Sequence, residues 1–392
     1  MLRLIGVLLC VCLLVLPLSL AVAAQRGSSA LEQQCFTALP ESVTPTTPPP
    51  ITSAASYAVF DPVSGDFIVE GDANTRRPMA STTKIMTALV VLEHCDLTAT
   101  VTVPAEAVGV EGSSIYLYKG ERITVRDLLY GLMLSSANDA ATALAIYTAG
   151  SEANFVALMN EKAASLGLSN THFCNPHGLH HAEHYTTARD LASLAAAALE
   201  HPVFADIVAT KRYSALQKDT EASRLFLNHN RLLRQLEGTI GVKTGYTKAG
   251  GRCLVSAARR NGLTLIAVTL NDPTDWKDHT ALLEWGFSQY TSFAPTVEPL
   301  TLPVVGGTQK NANLIPVGGL SVTLPAQHPA VTCTVEAPRF LYAGIAANAQ
   351  VGRVIYRMGD RILGEIPLVT GTAIPREPSP TLWDKFKNLF AK

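Results

Sequence analysis

The chain has 392 residues, with 31 Lys and Arg against 32 Asp and Glu and a formal net charge of -1. That length allows two domains and a sizeable core. The balanced charge removes any bulk electrostatic case for a nucleic-acid partner.

Met1 to Ala24 combines Arg3, an apolar run from Leu4 to Val22 and the small residues Ala21-Val22-Ala23-Ala24. This is the pattern of a secretory signal peptide. The competing reading is an uncleaved anchor, because the run approaches the ~20 residues that a spanning helix needs. Residues 25–51 are polar and then Pro-rich, ending Thr44-Pro45-Thr46-Thr47-Pro48-Pro49-Pro50, and are expected to form an extended tether outside the core. Beyond the signal segment remain Cys35, Cys95, Cys174, Cys253 and Cys333, an odd number at spacings unlike a zinc or disulfide framework. At least one thiol is therefore free or paired between chains, and the fold is not expected to depend on bridges.

Tyr57-Ala58-Val59-Phe60 and Phe67-Ile68-Val69-Glu70, joined by a turn through Asp61 to Asp66, predict a hairpin. From Ser81 to about residue 210 the pattern is mostly helical. Thr124-Val125-Arg126-Asp127 and Thr187-Ala188-Arg189-Asp190 look like capped helix starts, with a carboxylate three residues after the threonine. Beyond Lys243 the period switches to two. Cys253 to Ala258, Asn261-Gly262 and Leu263 to Leu270 predict a second hairpin, and Asp278 to Tyr290 a closing helix. From about Thr296 short apolar runs are separated by Gly306-Gly307, Gly318-Gly319 and Gly359-Asp360, which predicts a small β-rich domain ending near Thr372. Pro375 to Pro380 then precedes the tail Thr381 to Lys392, in which Leu382, Trp383, Phe386, Leu389 and Phe390 share one helical face and Lys385, Lys387 and Lys392 supply cations. Strands at both ends of a helical middle predict an α/β (α+β) fold, a mixed antiparallel sheet with helices packed on it.

The chemistry centres on Ser81-Thr82-Thr83-Lys84, at the mouth of the apolar run Ile85 to Leu92. A helix beginning near Ser81 would place Ser81 and Lys84 on one face of its first turn. A serine hydroxyl needs an adjacent base, and a lysine can serve only if its pKa falls well below about 10.4, through burial and a second cation. Two further matches complete a set: Ser136-Ala137-Asn138, after the helical stretch Val125 to Leu134, and Lys243-Thr244-Gly245, ahead of the second hairpin. Ser-x-x-Lys, Ser-x-Asn and Lys-Thr-Gly in this order are the signature of penicillin-binding proteins and class A β-lactamases.

With Pro78-Met79-Ala80 before the first motif, the turn Asn175-Pro176-His177-Gly178-Leu179, and Gly241-Val242 before and Tyr246-Thr247 after the third, the chain resembles the serine D-alanyl-D-alanine carboxypeptidases from about Ser56 to its C-terminus. These are low-molecular-mass penicillin-binding proteins that trim peptidoglycan stem peptides. The resemblance implies a penicillin-binding, serine β-lactamase-like domain over 52–292, a β-rich domain over 296–372, and a linker with an amphipathic membrane helix over 373–392. It implies Ser81 as nucleophile, Lys84 as its base, and Ser136 with Lys243 as the proton relay. It further implies that Asn138 meets the substrate amide, that Lys243 and Thr244 meet the terminal carboxylate beside Gly245, and that the backbone N–H groups of Ser81 and Tyr246 hold the oxyanion. The implied partners are the stem peptide, β-lactams and the membrane surface, with the enzyme exported to the outer face of the bacterial cytoplasmic membrane. No metal, nucleotide or flavin motif occurs, so no cofactor is expected.

Four alternatives stay open. A zinc peptidase could draw on His172, His177, His180, His181 and His184, although no His-Glu-x-x-His pair is present. A class A β-lactamase shares the three motifs but needs an acid upstream of the third. A β-lactam sensor would be acylated without turnover, and a DD-endopeptidase would cut cross-linked stems.

Overall fold

The computed structural model describes residues 46–216, 223–378 and Trp383. The signal segment Met1 to Ala24, residues 25–45 of the tether and, apart from Trp383, the tail Thr381 to Lys392 lie outside the described residues.

The chain opens on the expected hairpin, β1 (Ser56–Asp61) and β2 (Asp66–Gly71). Two small ribbons follow, β3 (Thr100–Thr102) with β4 (Arg122–Thr124) and β5 (Arg212–Leu216) with β6 (Ser223–Leu227). Then β7 (Thr239–Thr247), β8 (Gly251–Arg260) and β9 (Leu263–Leu270) join the first hairpin in one antiparallel sheet of order β2-β1-β9-β8-β7. The turn between β8 and β9 uses Asn261 at φ 49° and Gly262 at φ 83°, the left-handed pair that a tight Asn-Gly hairpin requires. Alternation sorts the sheet into two faces. Ala58, Val255, Ala257, Ile266 and Val268 face the helical layer, while Val59, Leu254, Leu265 and Ala267 face Leu282 and Leu283 of a helix on the other side. Burial on both faces explains why β9 is apolar at nearly every position.

The helical layer contains α1 (Lys84–His94), α2 (Val125–Leu134), α3 (Asn138–Ala149), α4 (Glu152–Ser165), α5 (Ala188–Leu199) and α6 (Pro202–Ala209). Caps set several starts as expected: Thr124 Oγ1 accepts from Asp127 N at 3.0 Å, and Thr187 Oγ1 from Asp190 N at 3.0 Å. Helix α1 is apolar all round, and Ile85, Met86, Ala88, Val90 and Val91 are buried. Each such side chain contributes roughly 1.5–3 kcal/mol. A helix buried on every side draws its own first residue, Lys84, into the core.

A short α7 (Leu232–Gln235) precedes β7, and the closing helix α8 spans Asp275–Gln289. It begins three residues before the expected Asp278. The end of the expected tether is exposed and lies along this helix: Gln289 Oε1 accepts from Thr46 N at 2.7 Å, and Trp285 Nε1 donates to Thr47 O at 3.1 Å. Pro48 to Pro50 offer no N–H, so these bonds come from the residues just before them.

Strand β10 (Tyr290–Phe293) leads out of the first domain and pairs with β13 (Val322–Pro325). The remaining strands are β11 (Leu300–Val305), β12 (Asn311–Pro316), β14 (Val331–Glu336), β15 (Leu341–Tyr342), β16 (Gln350–Met358) and β17 (Arg361–Thr370). They form a second sheet of order β14-β16-β17-β12-β11-β15, with Leu302, Leu314, Val354, Ile366 and Leu368 in its own core.

Candidate active site

Ser81 lies in the 3-10 turn Ala80–Thr83, and α1 begins at Lys84. The helix therefore starts later than a first turn at Ser81 would require, because Ala80 is left-handed at φ 48°. A non-glycine residue held there stores about 1–3 kcal/mol of strain and persists only where its surroundings enforce it. Those surroundings are identifiable. Thr82 Oγ1 donates to Met79 O at 2.6 Å, and Thr83 Oγ1 donates to Ala80 O at 2.8 Å. His184 accepts the Cys174 N–H at Nδ1 (2.9 Å), so its proton sits on Nε2 and is donated to Thr83 Oγ1 (2.7 Å). Burial first, then nearby histidines and Lys84, push the His184 pKa down to about 4, so the ring stays neutral.

Lys84 is fully buried, with Nζ 2.6 Å from Asn138 Oδ1, 2.6 Å from His177 O and 3.1 Å from Ser81 Oγ. Burial foremost, and then the Lys243 charge, hold its pKa well below the ordinary amine value, against an opposing pull from Asp139. A neutral amine has two N–H donors and one lone pair. The two short contacts go to oxygens that can only accept, so both N–H groups are committed there. In the neutral amine the lone pair is left for the third and longest contact, where Nζ can accept the Ser81 O–H instead of donating to Oγ. That is the geometry of a base poised on a nucleophile.

Asn138 opens α3, and its side chain is held at both ends: Oδ1 accepts from Lys84, and Nδ2 donates to Glu111 O at 2.5 Å. Ser136, buried two residues earlier, is left-handed at φ 59°. Asp139 was not singled out in the sequence. Its carboxylate accepts from Ser114 Oγ at 2.6 Å and from the N–H groups of Ile115 and Leu117 at 3.1 and 3.0 Å, fixing the loop whose Ser113 O receives Asn138 N.

Strand β7 brings the third motif alongside. A Cβ at Gly245 would lie 2.9 Å from Ser81 N and 3.1 Å from Ala80 Cβ, so only glycine lets the strand backbone approach the nucleophile this closely. Lys243 is buried, donates to Thr244 O at 2.7 Å, and is brought by burial down to about 7. Tyr246 is exposed. His229 is near enough to Lys243 for that charge to add to burial in lowering its pKa.

The histidine cluster does not converge. Among the described residues no three His, Cys, Asp or Glu side chains come together as a ligand set, and both nitrogens of His184 are already engaged. Cys95, Cys174, Cys253 and Cys333 are all free.

Three separate motifs thus meet at one serine, and comparison with known proteins gives the same answer: the family model for D-alanyl-D-alanine carboxypeptidase matches residues 42–274. The chain belongs to the D-alanyl-D-alanine carboxypeptidase family. It is a serine peptidase of the low-molecular-mass penicillin-binding type. It is 30% identical over 354 residues to the D-alanyl-D-alanine carboxypeptidase DacF of Bacillus subtilis, covering 85% of this chain and 91% of that one. It is 33% identical over 345 residues to DacC of Escherichia coli, covering 82% and 84%. Among solved structures, penicillin binding protein 5 from Haemophilus influenzae superposes with a TM-score of 0.65 at 28% identity, covering 84% of this chain and all of that chain.

The Lys243 pKa of this carboxypeptidase gives a pH test. Below about 7 the ammonium is charged, so the expected contact of Lys243 with a substrate carboxylate would be strong there and lost as pH rises through that value in the free enzyme. We expect kcat/KM for a D-Ala-D-Ala peptide to fall above about pH 7, and the alkaline limb to flatten in Lys243→Arg, which stays charged. A limb unchanged by Lys243→Arg would assign the titration to another group.

Proposed function

We propose that this carboxypeptidase removes the terminal D-alanine from peptidoglycan pentapeptide stems through an ester on Ser81. The lone pair that Lys84 keeps for Ser81 carries this reading. Ser81 Oγ passes its proton to Lys84 Nζ and bonds to the penultimate D-alanine carbonyl carbon. The oxyanion is held by the Ser81 and Tyr246 N–H groups, a reading supported by the close approach of Gly245, next to Tyr246 in the chain, to Ser81 N. Ser136 and Lys243 deliver a proton to the departing amine as the C–N bond breaks, and water then hydrolyses the ester. Lys243 and Thr244 receive the terminal carboxylate. Asn138 keeps a second N–H on Nδ2 to offer the substrate amide. A β-lactam presents a strained amide to the same hydroxyl and is expected to inhibit.

The signal segment and the tail support export and retention on the outer face of the cytoplasmic membrane, with Thr381 to Lys392 lying in the interface. The test of the chemistry is mass analysis of a pentapeptide stem ending in D-Ala-D-Ala after incubation with the enzyme. The expected product is the tetrapeptide plus free D-alanine, undiminished by a chelator. Ser81→Ala is expected to abolish both this release and covalent labelling by penicillin. Labelling that persists, or maps to another serine, overturns the assignment, as does activity that chelation removes and zinc restores.

A further inference from the structure

We propose that the far tip of the second domain is itself a membrane-contacting surface, made by Val305, Phe340 and Tyr342 beside the point where the tail leaves the fold. Their exposures are 47%, 41% and 66%. Single exposed apolar residues need no explanation, but these three adjoin. Val305 and Tyr342 are register partners in the parallel pair β11–β15, and the Phe340 and Tyr342 rings pack edge to face at 5.2 Å. Strand β15 is the outermost of its sheet.

Position argues for a lipid surface as the occupant. The chain enters the second domain from β10 and reaches Leu300, so Val305 lies one strand length further on, about 17 Å. The patch is thus at the end of β11 remote from the catalytic domain. The last described stretch before the tail returns to that same end: Arg376 bridges to Gly307, Glu377 N donates to Gly306 O at 3.0 Å, and Gly344 N donates to Ile374 O at 2.6 Å. Residues 379–392 therefore start within a few residues of Val305 and Tyr342. The rim is mainly basic. Lys310 and Arg376 are exposed, Arg339 precedes Phe340, and Glu377 is the acid among them. An apolar, aromatic centre with a cationic rim suits the headgroup region of an anionic bilayer.

This inference rests on the reading of the tail as a membrane segment. With both in the interface, the enzyme has two contacts instead of one, and the second sheet is held in a fixed orientation at the membrane. The patch lies far from Ser81, so its substitution is expected to leave activity on soluble peptide unchanged.

The test uses full-length mature protein and vesicles of phosphatidylglycerol and phosphatidylcholine, with partition read by sedimentation. Phe340→Ser with Tyr342→Ser is expected to lower the partition coefficient by roughly ten- to a hundredfold, from the apolar area withdrawn. Phe386→Ser with Phe390→Ser in the tail reports on the tail separately. Loss in the patch variant alone upholds the patch and removes the tail as anchor; loss in both upholds both. An unchanged partition in the patch variant overturns the proposal. So does increased binding, which would mean that the patch shelters residues 381 to 392 instead of meeting lipid. A wild-type protein that ignores the vesicles overturns both readings.

Discussion

Lys84→Met is expected to slow acylation by penicillin by about 10²–10⁴-fold, the usual share of a positioned base, while the protein remains folded. Methionine has nearly the shape of lysine and suits a fully buried site. The substitution removes the lone pair aimed at Ser81. It also leaves Asn138 Oδ1 and His177 O without their donor, at about 1–3 kcal/mol each where they stay dry. One term is returned. The wild-type amine has a lowered pKa, so between that pKa and about 10.4 the unfolded chain binds a proton that the folded one does not. Wild-type stability therefore rises with pH through this window, and the variant should lack that part of the slope. Thermal unfolding across pH together with labelling kinetics separates the two effects. Wild-type acylation in Lys84→Met would remove the lysine from the mechanism.

The second large effect is expected at a residue that touches no substrate. Gly178 sits at φ 92°, and a Cβ there would lie 2.0 Å from Ala80 O and 2.9 Å from Thr83 Oγ1. Gly178→Ala must displace the carbonyl that sets Ala80 in its left-handed conformation, one residue before the nucleophile. We expect more than a hundredfold loss of acylation rate, since misplacement by about 1 Å costs this much, with destabilisation of roughly 3 kcal/mol from strain and overpacking. Gly167→Ala is the control. It has φ 71° with nothing within 4 Å, so it carries the conformational cost alone. Comparable acylation in the two variants would show that the Gly178 contact does not shape the site.

The sequence made the pairing of Ser81 with Lys84 legible because both belong to one local motif and one turn. It made β8 and β9 legible because alternation and an Asn-Gly turn are also local. What it concealed acts across the fold. His177 drew notice for its turn and as a candidate zinc ligand, yet its carbonyl is what Lys84 bonds, and a carbonyl leaves no mark in a sequence. His184 looked like part of a cluster, and its relay through Thr83 spans 101 residues. Asp139, in the first turn of α3, was not singled out because nothing local marks the loop it holds. The late start of α1 follows a left-handed Ala80, whose carbonyl packs so close to Gly178 that no side chain fits there.

The depressed basicity of Lys84 depends on burial that the finished domain alone provides, with Asn138, His177 and Lys243 arriving from three distant segments. Before the domain folds, this lysine is an ordinary protonated amine that cannot activate a serine. The enzyme is thus silent until its last long-range contact closes, a step that non-local topology makes late. Penicillin labelling consequently counts completed molecules, and in a refolding time course it should lag secondary structure and report the native fraction directly.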